Sequence, residues 1–435
     1  MDKGGRKCYN KAINETEGAA MTVHLAQIDR EIRRAEEGTP QNEFHLGDAA
    51  EIAERLRETY EGKVNLVYLD PPFLTGKTFE ARVRVGAREW KSGRGSLVLS
   101  AYHDNQTREA YLEKMRAVLV GARALMASDA LIFVHIDWRM HPYLRLLMDE
   151  IFGESNFLNE LIWAYQSGGS ARRYFPRKHD VILMYSKTKD YDFHIQDVAE
   201  VVPGGRENHM KRHVDADGRV YRSIHSGGRV YTYYDDDPVV PGDVWTDVNH
   251  LQQKDPQRTG YDTQKPLKLL ERILRSSSRP GGLVLDLFAG SGTTADAAVK
   301  NGRRFLAADI NPLSMQLIRR RTDGAPVLFT HAPFDGAPEI RARAESGIGF
   351  TAVRLEAFAS DDPALPGSMD AVDSWAAGYE RDGVFYSYAE EMRSREKPTP
   401  AFELNVPMYE GHLMLRVTDV KGRDFYGYVD PSAMS

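Results

Sequence analysis

Asp70-Pro71-Pro72-Phe73 is a stretch whose residue types could do chemistry together. Two prolines fix the backbone, so the Asp70 carboxylate and the Pro71 carbonyl present two acceptors at a set spacing, with the flat apolar face of Phe73 beside them. Such a set suits a planar group bearing an exocyclic –NH2: the acceptors take its two hydrogens and the ring stacks on its plane. An ordinary strand-to-loop turn capped by aspartate would use the same letters. A second motif, Leu285-Asp286-Leu287-Phe288-Ala289-Gly290-Ser291-Gly292-Thr293-Thr294-Ala295, reads as a strand, a tight glycine turn and a helix start at Thr293. Glycines let a ligand approach the backbone, and the free N–H groups of a helix N-terminus favour negative charge. Gly290, Gly292 and Ala295 satisfy the dinucleotide pattern G-x-G-x-x-A, with Asp309 ending the next strand in reach of ribose hydroxyls. A Rossmann-type NAD(P)-dependent oxidoreductase is therefore one reading. Asp286 and the bulky Phe288 favour another, because a carboxylate aimed at the loop repels a pyrophosphate and suits the ammonium of a methionine moiety.

The elements that must position these residues alternate. Val64–Leu69 is a short run rich in branched residues that ends at Asp70, as a buried parallel strand should. Around it the pattern predicts helices near 49–60, 108–126 and 142–152 and strands near 130–137 and 157–164. After a break from Tyr165 to Asp262 it resumes with a helix over 266–277, strands at 283–286 and 305–309, and helices over 293–301 and 312–321. Such βαβ alternation implies a doubly wound parallel sheet, at whose carboxyl edge ligands bind. Residues 1–42 read as a loose arm or short helix, Gly76–Asn105 as a mobile loop or lid, 165–262 as an irregular β-rich insertion and 326–435 as a separate small β-rich domain. The two halves of the sheet are then 43–164 and 263–325. Met21 is a second candidate start.

Composition sets outer limits. With 435 residues, 42% hydrophobic and 28% charged, the chain is of globular type and long enough for two or three domains. No apolar run approaches the roughly 18 residues of a membrane span, and MDKGGRKCYN offers no secretory signal. A cytoplasmic protein with no membrane partner is expected. The lone Cys8 permits neither an intramolecular disulfide nor a thiolate metal cluster, so no metal site is assigned. A net charge of -6 excludes a uniformly basic coat. Between Trp163 and Lys189, however, six basic residues (Arg172, Arg173, Arg177, Lys178, Lys187, Lys189) face one acidic residue, Asp180, with Trp163, Tyr165, Tyr174, Phe175 and Tyr185 interleaved. Charge alone fits a solvated face; flanked by the two motifs it fits a nucleic-acid surface.

Taken together, these motifs resemble the β-group of amino-methyltransferases of DNA, close to the modification subunits of type III restriction systems and their solitary relatives. The likeness spans about Phe44 to Arg321. It takes in Asp70–Phe73, Phe152-Gly153-Glu154-Ser155-Asn156-Phe157, His179–Lys187, Asp243-Val244-Trp245-Thr246-Asp247, Tyr261–Pro266 and the glycine turn. Asp70 precedes Asp286 by 216 residues, the circularly permuted motif order of that group. Phe73 departs from it, since tyrosine is frequent there. The resemblance implies a Rossmann-like methyltransferase sheet with a target-recognition insertion, Asp70, Pro71, Pro72 and Phe73 as the catalytic set, and S-adenosylmethionine as cofactor. Asp286, Phe288, Gly290, Gly292 and Thr293 would then lie at the methionine end, Asp309 at the ribose and Asp48 near the adenine, where it would also cap the helix from Ala49. Thr263, Gln264, Lys265 and Pro266 resemble the segment whose lysine pairs with the cofactor carboxylate. The implied substrate is an adenine N6 amine flipped out of double-stranded DNA, with cytosine N4 as the alternative; the implied partners are a restriction subunit and a second copy of the chain.

Overall fold

The computed structural model describes residues 21–34, 39–103, 106–166, 171–201, 210–252 and 254–429. Cys8 lies outside them. At its centre, the strands Met126–Ile136, Val64–Leu69, Leu283–Asp286, Arg304–Asp309, Asn42–Leu46 and Val327–Thr330 run parallel in that spatial order. His179–Ser186 and then Phe157–Ala164 extend the sheet beyond Met126–Ile136, each antiparallel to its neighbour. The expected doubly wound α/β class is the architecture observed.

Period-two alternation splits the buried strands between two cores. Val67 and Leu69 pack with the helices Ala49–Tyr60, Arg108–Leu125 and His141–Phe152, while Leu66 and Tyr68 pack with Leu267–Ser277, Thr293–Lys300 and Pro312–Arg321 on the other face. At about 1.5–3 kcal/mol for each large apolar side chain fully buried, the two faces supply most of the drive for folding. Local signals set the helix starts: Asp48 accepts from the Ala50 N–H at 2.9 Å, Thr107 caps its helix through the Ala110 N–H, and Asn311 does so through the Leu313 N–H before Pro312 in the first turn. Pro266 sits one position earlier than expected, as the cap of Leu267–Ser277. Gly121 lets two helices touch, because a Cβ there would meet the Ala53 Cβ at 2.8 Å.

Several expectations need correction. Of the 1–42 stretch expected as a loose arm or short helix, residues 1–20 lie outside the described residues, and in the rest Met21–Thr22, His24–Ala26 and Arg30–Arg33 are strands. Arg30–Arg33 pairs antiparallel with Val327–Thr330 and parallel with Val384–Met392, and the sheet runs on through Val372–Arg381, His412–Asp419, Asp424–Tyr428 and His24–Ala26. Part of the segment after Pro326 therefore continues the central sheet, its first strand Val327–Thr330 lying beside Asn42–Leu46, while Glu339–Ser346, Phe350–Ala359 and Glu403–Pro407 form a second sheet with Met21–Thr22. The seam holds a buried ionic cluster: Arg319 contacts Glu31 and Asp424 at 2.7 Å, and Arg416 reaches Glu31 at 2.9 Å, all four side chains fully buried. Arg33 reaches Glu390 there at 2.6 Å.

Gly76–Asn105 contains a hairpin, Thr78–Val83 with Leu97–His103, and a short helix at Gly86–Ser92. Of the 165–262 stretch, His179–Ser186 belongs to the central sheet, and a three-stranded sheet is formed by Arg212–Val214, Val220–Ser226 and Arg229–Tyr234. Among the described residues no helix is long and apolar enough to cross a membrane, and no cluster of His, Cys, Asp and Glu could hold a metal ion.

Candidate active site

Adjacent parallel strands bring the two motifs together. Leu66 and Val67 pair with Val284 and Leu285, so Asp70 and Asp286 leave the sheet at the same edge, one strand apart. Between them opens a cavity of about 650 Å3, lined among others by Asp48, Asp70, Pro72, Lys114, Tyr261, Thr263, Lys265, Asp286, Phe288, Gly290, Thr293 and Asp309.

Asp70 is held on one side only. Lys265 Nζ forms an ion pair with its Oδ2, while Oδ1 is buried without a hydrogen-bond partner among the described residues. A buried acceptor left open in this way costs about 1–3 kcal/mol until something donates to it. Pro71 is buried behind it. Leu74 turns the chain sharply at φ +54°, a left-handed conformation rare for a side chain of that size and a mark of stored strain. Two groups contact Phe73: the His135 ring is stacked 6.1 Å away at 26°, and Lys265 Nζ lies 5.2 Å from the ring centre. His135 is itself fixed by contacts with the Tyr68 hydroxyl at 2.9 Å and Asp180 at 3.2 Å, and Asp180 accepts from the Tyr165 hydroxyl at 3.0 Å. Against the pull of burial, His135, Lys265 and Tyr165 hold the Asp180 carboxyl below its usual range.

The other wall is acidic. Burial pushes Asp286 up to about 7, in spite of hydrogen bonds from the Thr294 side chain and the Phe288 N–H, and the nearby charges of Asp70 and Asp309 add to the rise. Burial likewise raises Asp309, although Gly290 N–H donates to it at 2.7 Å and Asn311 N–H at 2.8 Å. Asp48 is the opposite case: against burial, Lys114 at 2.7 Å and the Ala50 N–H keep its carboxyl low.

Three of the expected cofactor residues do not face the cavity. Gly292 instead allows close packing, since at φ +75° its Cβ would meet Ile318 at 2.7 Å. Gln264 turns away, donating to the Gln257 carbonyl at 2.6 Å and accepting from the Thr259 N–H at 2.9 Å. Pro266 caps its helix. Lys265 faces the cavity, but its partner in the structure is Asp70. Lys114, on a helix with no motif of its own, has no signal in the sequence, and Tyr261, which opens the Tyr261–Pro266 stretch of the likeness, carries no assigned role there although it lines the cavity.

The basic segment divides. Arg172, Arg173 and Arg177 are exposed and Lys178 half-buried, on the link between Ala164 and His179. That link leaves the Asp70 edge of the sheet, because His179 pairs with Ala164, and Val181 with Ile136 just before Asp137. Lys187 and Lys189 are a correction: the antiparallel course of His179–Ser186 carries them to the opposite edge, where they bond the Met126 and Ser155 carbonyls.

Residues 64–320 match the model of the DNA methylase family. The chain belongs to that family. It is a DNA methyltransferase dependent on S-adenosylmethionine. It is 29% identical to the type II methyltransferase M.EcaI of Enterobacter cloacae, over 64% of this chain and 69% of that protein. It is 26% identical to the DNA adenine methyltransferase YhdJ of Escherichia coli, over 64% and 82%, and 25% identical to the StyLTI Mod subunit, part of a type III restriction-modification enzyme of Salmonella typhimurium, over 61% and 51%.

Proposed function

We propose that this methyltransferase modifies the N6 amine of an adenine flipped out of duplex DNA, at the cavity between Asp70 and Asp286. The observation that carries the reading is the convergence of Asp70 and Pro72, from the tetrapeptide, with the glycine turn on one cavity of about 650 Å3, within the range of cofactor sites. The cavity fits S-adenosylmethionine. Four carboxylates, of Asp48, Asp70, Asp286 and Asp309, face it against the ammonium groups of Lys114 and Lys265, an excess that suits a cationic ligand. Asp286, Phe288, Gly290 and Thr293 would hold the methionine end, Asp309 the ribose and Asp48 the adenine side. Bound there, the cofactor supplies an electrophilic methyl group.

The chain's own residues prepare the amine. Its nitrogen is a weak nucleophile because the lone pair is delocalised into the ring, and in a duplex its edge is also paired; extrusion removes the pairing. The open Asp70 Oδ1 and the Pro71 carbonyl accept the two N–H bonds and favour a pyramidal nitrogen, while Phe73, backed by His135, supports the plane of the base. Lys265 on Oδ2 fixes the direction in which Oδ1 points. Positioning and fixed charge then carry most of the rate. A neutral aryl amine is not acidic near pH 7, so the proton leaves after transfer, to Asp70 or water.

Adenine is favoured by the acidic residue that opens the tetrapeptide and by the similarity to YhdJ, a DNA adenine methyltransferase. The Arg172–Lys178 link would hold phosphates, and the 212–234 sheet would take part in site recognition. A restriction subunit, as the Mod relative's name suggests, a second copy of the chain and a bacterial or phage-infected cytoplasm complete the reading. Tritiated methyl transfer to duplex DNA followed by nucleoside analysis tests it: N6-methyladenine is expected, and N4-methylcytosine would overturn the base assignment.

A further inference from the structure

Phe175 is 95% exposed, more than any other aromatic side chain among the described residues. A single exposed apolar side chain is ordinary; the setting of this one is not. Its neighbours fasten the link at the base. Arg177 lies with its guanidinium 3.7 Å from the ring centre of Trp138 and 4.9 Å from that of Tyr174. Trp138, itself 43% exposed, lies two residues past the end of the strand at Ile136. The Tyr165 N–H donates to the Lys178 carbonyl at 2.9 Å, closing the link where it joins the sheet. Phe175 is thus carried between anchored neighbours, with no aromatic contact of its own among the described residues. The exposed Arg172, Arg173 and Arg177 around it are complementary to phosphate.

The position relative to Asp70 gives Phe175 a purpose. The strand starting at His179, four residues after Phe175, is second neighbour to the strand that ends at Leu69, and strands lie about 4.8 Å apart, so this strand start lies about 10 Å to the side of the catalytic carboxylate. A base that enters the Asp70 cavity leaves an unstacked gap in the helix, and apolar side chains that fill such gaps offset part of the cost of unstacking.

We propose that Phe175 is a wedge that enters duplex DNA and occupies the gap left by the extruded base. This rests on the flipping mechanism above and adds to it the residue that takes the base's place. The test is Phe175→Ala in the full chain, a substitution that removes nothing from the core. Two duplexes carry the site mapped by sequencing plasmid methylated by the unaltered enzyme, one fully paired and one with an abasic residue opposite the target. Single-turnover methylation of the paired duplex should fall about tenfold or more, while the duplex with the unpaired target stays within about twofold, and Phe175→Leu should keep most of the paired rate. Equal losses on both duplexes would overturn the wedge, as would an undiminished rate on the paired one. Absence of methyl transfer to any duplex by the unaltered enzyme would be a failure of the proposed function itself, separable because it precedes any variant.

Discussion

Affinity for S-adenosylmethionine should rise about fiftyfold between pH 5 and pH 7, approach about a hundredfold by pH 8 and level off above. The cause is Asp286, which burial pushes up from 3.8 to about 7, so that it is largely protonated in the empty site through the acidic range. A cationic ammonium held by this carboxylate requires it ionised, and each pH unit below about 7 then costs about 1.4 kcal/mol, close to 2.7 kcal/mol over two units. The same shift has a sign for stability. Because the folded pKa is raised, the protonated group favours the folded state fully below about pH 3.8, and that contribution is lost as pH rises through about 7. The empty protein should therefore lose stability from this group over the interval in which it gains affinity. Calorimetric titrations at several pH values, each in two buffers of different ionisation enthalpy, count the protons released: about one per cofactor bound near pH 5.5 and almost none at pH 8. Asp286→Asn should abolish the slope and weaken binding at pH 8. A flat affinity from pH 5 to 8, or an unchanged slope in Asp286→Asn, would refute the reasoning, the second outcome pointing to another raised group such as Asp309.

Three further outcomes follow from the geometry. Asp70→Ala should lower methyl transfer about a hundredfold or more while changing cofactor affinity less than about threefold, since it removes the open acceptor for the amine; turnover within a few-fold would sink the assignment. Neutralising Arg172, Arg173, Arg177 and Lys178 together should flatten the log–log salt dependence of DNA binding by up to about 3.6, at roughly 0.9 per phosphate contact, whereas Lys187→Ala with Lys189→Ala should leave it unchanged. Loss on one sequence alone would mean that the first group reads bases. Glu31→Gln, which leaves Arg319 and Arg416 short of a buried partner, should cost about 3–5 kcal/mol in urea denaturation; a loss under about 1 kcal/mol would show the cluster to be replaceable.

What the sequence made legible was local. Val64–Leu69, the glycine turn and Pro312 announce themselves through run length, backbone freedom and ring geometry, all properties of a few neighbouring residues. What stayed hidden depends on partners far along the chain. Lys265 meets Asp70 across 195 residues. Arg30-Glu31-Ile32-Arg33 reads as a solvated polar stretch, yet Glu31 is buried against Arg416, 385 residues away. Lys187 and Lys189 look continuous with Arg172–Lys178 because the sequence shows their proximity but not the reversal of the strand between them. Gly292 fits a dinucleotide pattern whether it faces a ligand or, as here, a neighbouring helix.

The strand Arg30–Arg33 has a consequence for where this enzyme can be divided. It comes from the start of the chain, yet it joins the methyltransferase strands to those of the final hundred residues. A fragment cut to the span that bears both motifs would end in an open sheet edge along Asn42–Leu46, with Arg319 stripped of Glu31 and Asp424. Such an edge recruits other strands, and such a charge draws water into a core. The motifs form a portable cassette on paper. In the folded chain the motif-bearing strands need Arg30–Arg33 beside them, and a protease nick that released that strand would be felt at the catalytic cavity as loss of the sheet beneath it.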